Sequence, residues 1–159
     1  MANKITPFLW FDKNAEEAAK FYVSIFKNAK INKVSRYPEG SGYEPGTASV
    51  VDFELDGQRV MLINGGPHFK LDEAFSFSID CADQAEVDYY WERLLAGGGV
   101  ESQCGWLKDK FGLSWQVVPA ALNGMLKDKD AQKVGRVTQA FLKMKKLDIQ
   151  GLEKAYRGR

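Results

Sequence analysis

Asp12-Lys13-Asn14-Ala15-Glu16-Glu17-Ala18-Ala19-Lys20-Phe21-Tyr22 and Asp80-Cys81-Ala82-Asp83-Gln84-Ala85-Glu86-Val87-Asp88-Tyr89-Tyr90 decide the fold, because one pattern occurs twice. Laying Asp12 on Asp80 puts Glu16 on Gln84, Phe21-Tyr22 on Tyr89-Tyr90 and Phe26 on Leu94. In the first copy Ala15, Ala18, Ala19, Tyr22, Val23 and Phe26 recur at three- and four-residue spacing, the stripe of an amphipathic helix. Asp12 and Asn14 offer N-cap oxygens, and Asn28 is a plausible stop. The second copy predicts a helix over 83–95, carrying Val87, Tyr90, Trp91, Leu94 and Leu95 and ended by Gly97-Gly98-Gly99.

The flanks repeat too. The apolar run 5–11 precedes the first helix and reads as a strand buried on both faces, with Pro7 tolerable only at an edge or at the start of pairing. Strands follow at about 31–37, 47–55 and 58–64, and Asp56-Gly57 makes a two-residue hairpin turn where positive φ is tolerated. Before the second helix, 74–80 alternates Phe75, Phe77 and Ile79 against Ser76 and Ser78. After it come short strands near 99–103, 105–108 and 113–118, with Phe111-Gly112 at the last hairpin. The expectation is an α+β chain, one domain over 1–159, made of two tandem βαβββ modules at about 5–65 and 73–119. A helical tail over 120–157 follows, with Val134, Val137, Phe141 and Leu142 at helical spacing in its middle segment.

Charge narrows the function classes. Twenty-two basic and twenty-one acidic residues leave a net charge of +1, which gives no electrostatic case for nucleic acid or a membrane surface. No apolar run approaches the ~20 residues that span a bilayer. The stretch Met1-Ala2-Asn3-Lys4 opens on no signal-peptide pattern, and two cysteines, Cys81 and Cys104, make no disulfide framework. A cytoplasmic protein with free thiols is expected.

Pro7-Phe8-Leu9-Trp10-Phe11-Asp12, Ala15-Glu16-Glu17-Ala18, Phe21-Tyr22 and Asn64-Gly65-Gly66-Pro67 resemble the first module of PhnB-like proteins. These form the "3-demethylubiquinone-9 3-methyltransferase" domain family of the glyoxalase/bleomycin-resistance (vicinal oxygen chelate) superfamily. Ser76-Phe77-Ser78-Ile79-Asp80-Cys81, Gln84 to Asp88, Cys104 to Asp109 and Gly112 to Pro119 resemble their second module, and Phe141 to Ile149 their tail. The resemblance implies a cupped mixed sheet and a homodimer. Its methyltransferase name fits the residues poorly. A cofactor cleft for methyl transfer is typically built on a glycine-rich turn after the first strand, and here that strand ends in Trp10-Phe11-Asp12-Lys13-Asn14.

The same resemblance locates a metal site in related enzymes, with His, Glu or Gln on the first and last strands of each module. The corresponding residues are Thr6 or Pro7, Met61 (or Asn64), Ala74 and Gln116, a set unable to hold a hard cation. The chain has one histidine, His68. No metal and no cofactor are expected. A pocket lined by both modules would take Leu9, Phe11, Arg59, Met61 and Ile63 from the first, and Ser76, Ser78, Ser114, Gln116 and Val118 from the second. The opposite face would hold Phe8, Trp10, Phe75, Phe77, Trp115 and Val117 under the helices. Arg59 is either a carboxylate or phosphonate anchor or a solvated residue beside the hairpin. Lys108 and Asp109 read as hairpin solvation. Cys81 reads as a structural thiol, mildly activated by a helix N-terminus. His68, Cys104 and Glu73 are the candidates for proton transfer or nucleophilic chemistry. The function expected is metal-independent binding of a small molecule. A metal-free enzyme acting on a small oxygen-rich substrate, or an interaction protein without ligand, stay open beside it.

Overall fold

The computed structural model describes residues 4–159, so the first three residues of the N-terminal stretch read above lie outside it. The chain divides into two units, the first ending at Leu71 and the second spanning Asp72–Arg159.

In the first unit, β1 (Phe8–Phe11), α1 (Ala15–Ile25), β2 (Ala29–Arg36), β3 (Ala48–Leu55) and β4 (Gln58–Asn64) follow in order. The sheet runs β1-β4-β3-β2, with β1 parallel to β4 and the other pairs antiparallel. A parallel first-to-last pair needs a crossover, and α1 with β2 and β3 supplies it. The β3–β4 turn is the expected one. Asp56 (φ 47°) and Gly57 (φ 78°) both sit in the left-handed region, the backbone of a type I′ hairpin.

One face of this sheet is covered by α1. Ala15, Ala18, Ala19 and Tyr22 are buried there together with Leu9, Phe11, Val51, Phe53, Val60 and Leu62. The small alanines let the helix approach closely. The strand expected over 5–11 pairs only from Phe8, and Pro7 lends its carbonyl to the Met61 amide at 2.9 Å. It is covered on one face, not two, because β1 stands at the sheet edge and alternates: Phe8 is 57% exposed, Leu9 and Phe11 4%.

The start of α1 differs from the expected capping. Asn14 makes no side-chain cap bond. The amide of Ala15 instead donates to Asn64 Oδ1 at 2.9 Å, from the end of β4. Asn64 Nδ2 donates to the Ala48 carbonyl at 2.9 Å, so one buried amide ties α1, β3 and β4 together.

The second unit repeats the order: β5 (Ser76–Cys81), α2 (Gln84–Leu95), β6 (Val100–Glu101), β7 (Trp106–Lys108) and β8 (Ser114–Pro119). Its sheet runs β5-β8-β7-β6, again with the first strand parallel to the last. This is the duplication read from the sequence, now in hydrogen-bond topology. Asp83 caps α2 through the Glu86 amide, and Glu86 reaches back to the Ala82 amide. Gly99 closes the helix at a crowded point, where a Cβ would lie 2.7 Å from Leu95 Cα.

Three tail helices follow: α3 (Ala120–Leu126), α4 (Ala131–Phe141) and α5 (Ile149–Arg157). Leu122, Val137, Leu147 and Leu152 are their buried core, joined by Val118, Met125, Phe141, Met144 and Tyr156. The middle helix ends at Phe141, one residue short of the stripe read through Leu142. The chain after it binds the second sheet through its backbone: the Cys104 and Gly105 amides donate to the carbonyls of Met144 (2.7 Å) and Lys145 (2.8 Å). Carbonyls spent on a neighbouring loop cannot continue a helix in the usual register. Gln84 completes the clamp, donating to Leu147 O and accepting from Ile149 N. Among the described residues, no helix is long and apolar enough to cross a membrane.

Candidate functional site

Each sheet has a face that its own module helix leaves uncovered. In the first unit this face carries Phe8, Trp10, Met61 and Ile63, because Phe8 registers with Met61 and Trp10 with Ile63. Leu9 and Phe11, expected on this face, belong to the opposite one and are buried under α1 with Leu62. Phe8 and Trp10, expected beneath the helix, take their place. Met61 and Ile63 stand where the sequence put them, half-buried.

Trp10 is held firmly. Its Nε1–H donates to the Gly66 carbonyl at 2.8 Å, and its ring meets Phe69 edge-on at 5.0 Å. It also explains Asn64-Gly65-Gly66. A Cβ on Gly65 would sit 2.2 Å from the Trp10 ring, so the indole lies in the space that only glycine leaves. Arg59 is exposed and already paired. Its Nε and Nη2 grip both Asp52 oxygens, with Nη2 to Oδ2 at 2.8 Å. Asp52 thus fills the position that an external carboxylate would take. This pair, more than any other contact, holds the Asp52 carboxyl below the usual carboxylate range.

The second unit's uncovered face is polar. Phe77, Trp115, Val117 and Cys81 turn toward α2, which leaves Ser76, Ser78, Ser114 and Gln116 on the opposite face, where Val118 at the strand end packs against the tail core. Strand register arranges these in two rows. Lys108, Ser114 and Ser76 lie side by side across β7, β8 and β5, and Trp106, Gln116 and Ser78 form the next row. Gln116 Nε2 donates to Ser76 Oγ at 3.0 Å, which ties one row to the other. Ser114 is 1% exposed, and its hydroxyl has no hydrogen-bond partner. Phe75, expected under the helix, is partly exposed and packs edge-on against Phe77 at 5.1 Å.

Lys108 is not mere hairpin solvation: its ammonium forms a close ion pair with Glu73. The Lys108 contact holds the Glu73 carboxyl below the usual range. A carboxylate so held is a poorer proton acceptor than a free one. Asp109 is buried too. Its Oδ1 accepts from the Phe111 (2.8 Å) and Leu113 (3.1 Å) amides and its Oδ2 from Trp115 Nε1 (2.9 Å), so it shapes the last hairpin from inside.

The remaining reactive candidates are scattered. His68 is exposed in the loop after β4. Cys104 is half-buried at φ +60°, with its amide fixed to Met144. Cys81 is not activated by its helix terminus. Burial first, then Glu86, Asp80 and Asp83, push its thiol up to about 12. The roles of three residues escaped the sequence reading. Asn64 caps a helix across 49 residues of chain, a partnership without local signal. Trp106 and Lys108 belong to the polar face only through strand register, although Ser114 and Gln116 already marked alternate positions on the neighbouring strand.

A family model described as 3-demethylubiquinone-9 3-methyltransferase matches residues 3–118, which spans both βαβββ modules. The chain belongs to that family. The three tail helices lie beyond the match. The PhnB protein from Bacillus cereus, provisionally given the same methyltransferase name, is similar at 35% identity, with a TM-score of 0.69 over 74% of this chain and 100% of that one. Protein PA1353 from Pseudomonas aeruginosa shares the fold at 17% identity and a TM-score of 0.61, over 74% of this chain and 98% of its own. No curated protein matches.

For a member of the 3-demethylubiquinone-9 3-methyltransferase family, the name raises the question of a methyl-donor cleft. The residues do not fit one of the glycine-turn kind. β1 runs into Asp12-Lys13-Asn14, and the first free amide of α1 is taken by Asn64. Gly97 to Gly99 close a helix instead of opening one. The donor set at the superfamily's metal positions is equally unsuited to a hard cation. Pro7 and Ala74 lack ligating side chains, Met61 is soft, both ends of the Asn64 amide are engaged, and Gln116, whose Nε2 donates to Ser76, brings a single amide oxygen.

Proposed function

We propose that this family member binds a small, partly polar organic molecule without a metal ion, and that the polar face of β5, β8 and β7 supplies the recognition. The supporting observation is Ser114. A buried hydroxyl without a partner costs about 1–3 kcal/mol, and a fold keeps such a group where something else satisfies it. Ser76, Ser78 and Gln116 share its face and provide further donors and acceptors. Hydroxyl and amide groups beside the Trp106 indole of the same face suit orientation of a ligand more than chemistry on it. Methyl transfer is not part of this reading. The protein works as a cytoplasmic homodimer.

The test is a screen of small aromatic acids, alcohols and amides against the labelled protein, read from amide resonances. Binders shift Ser76, Ser78, Ser114 and Gln116, and Ser114→Ala weakens them by about five- to tenfold, the worth of one buried hydrogen bond. Binding survives a chelator, and purified protein carries well under one equivalent of metal. Stoichiometric zinc, nickel or iron, with binding lost on chelation, overturns the metal-free reading. A screen that leaves β5 and β8 unshifted overturns the binding site itself.

A further inference from the structure

We infer that the polar face of the second unit is built for a planar carboxylate, with Glu73 as an internal stand-in for the ligand's anionic group; this rests on the binding reading above and specifies its ligand class. The two rows divide the work. Lys108, Ser114 and Ser76 offer an ammonium and two hydroxyls at neighbouring strand positions, the set that a carboxylate needs for charge and two hydrogen bonds. Trp106, Gln116 and Ser78 in the next row offer an indole surface beside an amide, suited to a flat conjugated body. Lys108 is the cation of the first row, and it is held by Glu73, a carboxylate that is 64% exposed. An exposed carboxylate on a cation that is itself 37% exposed is readily displaced, since surface ion pairs are weak in water. Ser114 beside it keeps a buried, unpartnered hydroxyl, a donor that the oxyanion would satisfy. Arg59, the other cation considered for an anion, is gripped through two nitrogens by Asp52 and is the poorer receptor.

Benzoate and its neutral isostere benzamide, titrated into the full chain and followed at the Trp106 indole resonance, test this. Benzoate binds the parent protein, Lys108→Met weakens it at least tenfold, and Glu73→Gln strengthens it about two- to fivefold by removing the competitor. Benzamide affinity is the same in all three proteins. The strengthening by Glu73→Gln is the decisive sign, because a merely structural ion pair gives no gain when broken. If Glu73→Gln leaves benzoate unchanged or weaker, or if benzamide binds as well as benzoate, the carboxylate assignment is overturned and the binding function stands. If neither compound, nor any in the wider screen, shifts this face, the function falls with it. Unfolding curves of both variants confirm that each is folded under the titration conditions.

Discussion

Asp109 and Cys81 show how far a side chain's meaning depends on what surrounds it. In sequence, Lys108-Asp109-Lys110 is a charged turn. In the fold, Asp109 is 3% exposed and accepts from two amides and an indole. Asp109→Asn turns an acceptor oxygen into a donor facing one of these N–H groups. We expect it to cost about 2–4 kcal/mol in urea unfolding; a loss within about 0.5 kcal/mol, the usual range for surface substitutions, would show that the hairpin holds without the carboxylate. Cys81 carries a pH signature. Its folded thiol is raised from 9.0 to about 12, so the folded state holds its proton more tightly than the unfolded chain does. That contribution is fully present below pH 9 and is lost as pH rises from 9 toward 12. Stability should fall across this window by up to about 1.4 kcal/mol per pH unit from this group, and Cys81→Ala should flatten the slope. An unchanged slope in Cys81→Ala would assign the alkaline loss elsewhere.

At the scale of elements, α1 is the informative case. Its stripe of alanines and Tyr22 was readable from spacing, and its length nearly so. Its cap was not, because Asn64 is local only in space. Asn64→Ala removes the acceptor for Ala15 and the donor to Ala48 together, and we expect a loss of about 2–3 kcal/mol with faster amide exchange in the first turn of α1. Asn14→Ala should change little, and the contrast between the two separates a distant cap from a local one. β1 teaches a different lesson. Its alternation was legible but its phase was misread, since a run of apolar residues does not say which side is covered. The repeat held the missing signal: aligning Asp12 with Asp80 puts Leu9 on Phe77 and Trp10 on Ser78, and so puts Leu9 under the helix.

For the molecule as a whole, the tail is the feature the family match leaves out and the second unit depends on. Leu147 is fully buried, and Gly105 leaves it room: a Cβ there would meet Leu147 Cδ1 and the Val117 carbonyl at 2.9 Å. Leu147→Ala should cost about 2–5 kcal/mol and expose the 142–148 segment to protease. A stable, protease-resistant variant would mean that the backbone clamp at Cys104 and Gly105 suffices alone. The sequence by itself determined that there are two βαβββ modules, where their helices lie, which turns are left-handed, and which residues stand at the positions that the family resemblance assigns to a metal. Those properties follow from periodicity, turn chemistry and residue identity, which are written locally. Only the tertiary structure decided the covered side of β1, the Asn64 cap, the burial of Asp109 and the pairing of Lys108 with Glu73. Each depends on residues distant in the chain meeting in space, and a hydrogen bond or buried face has no existence until its second partner arrives.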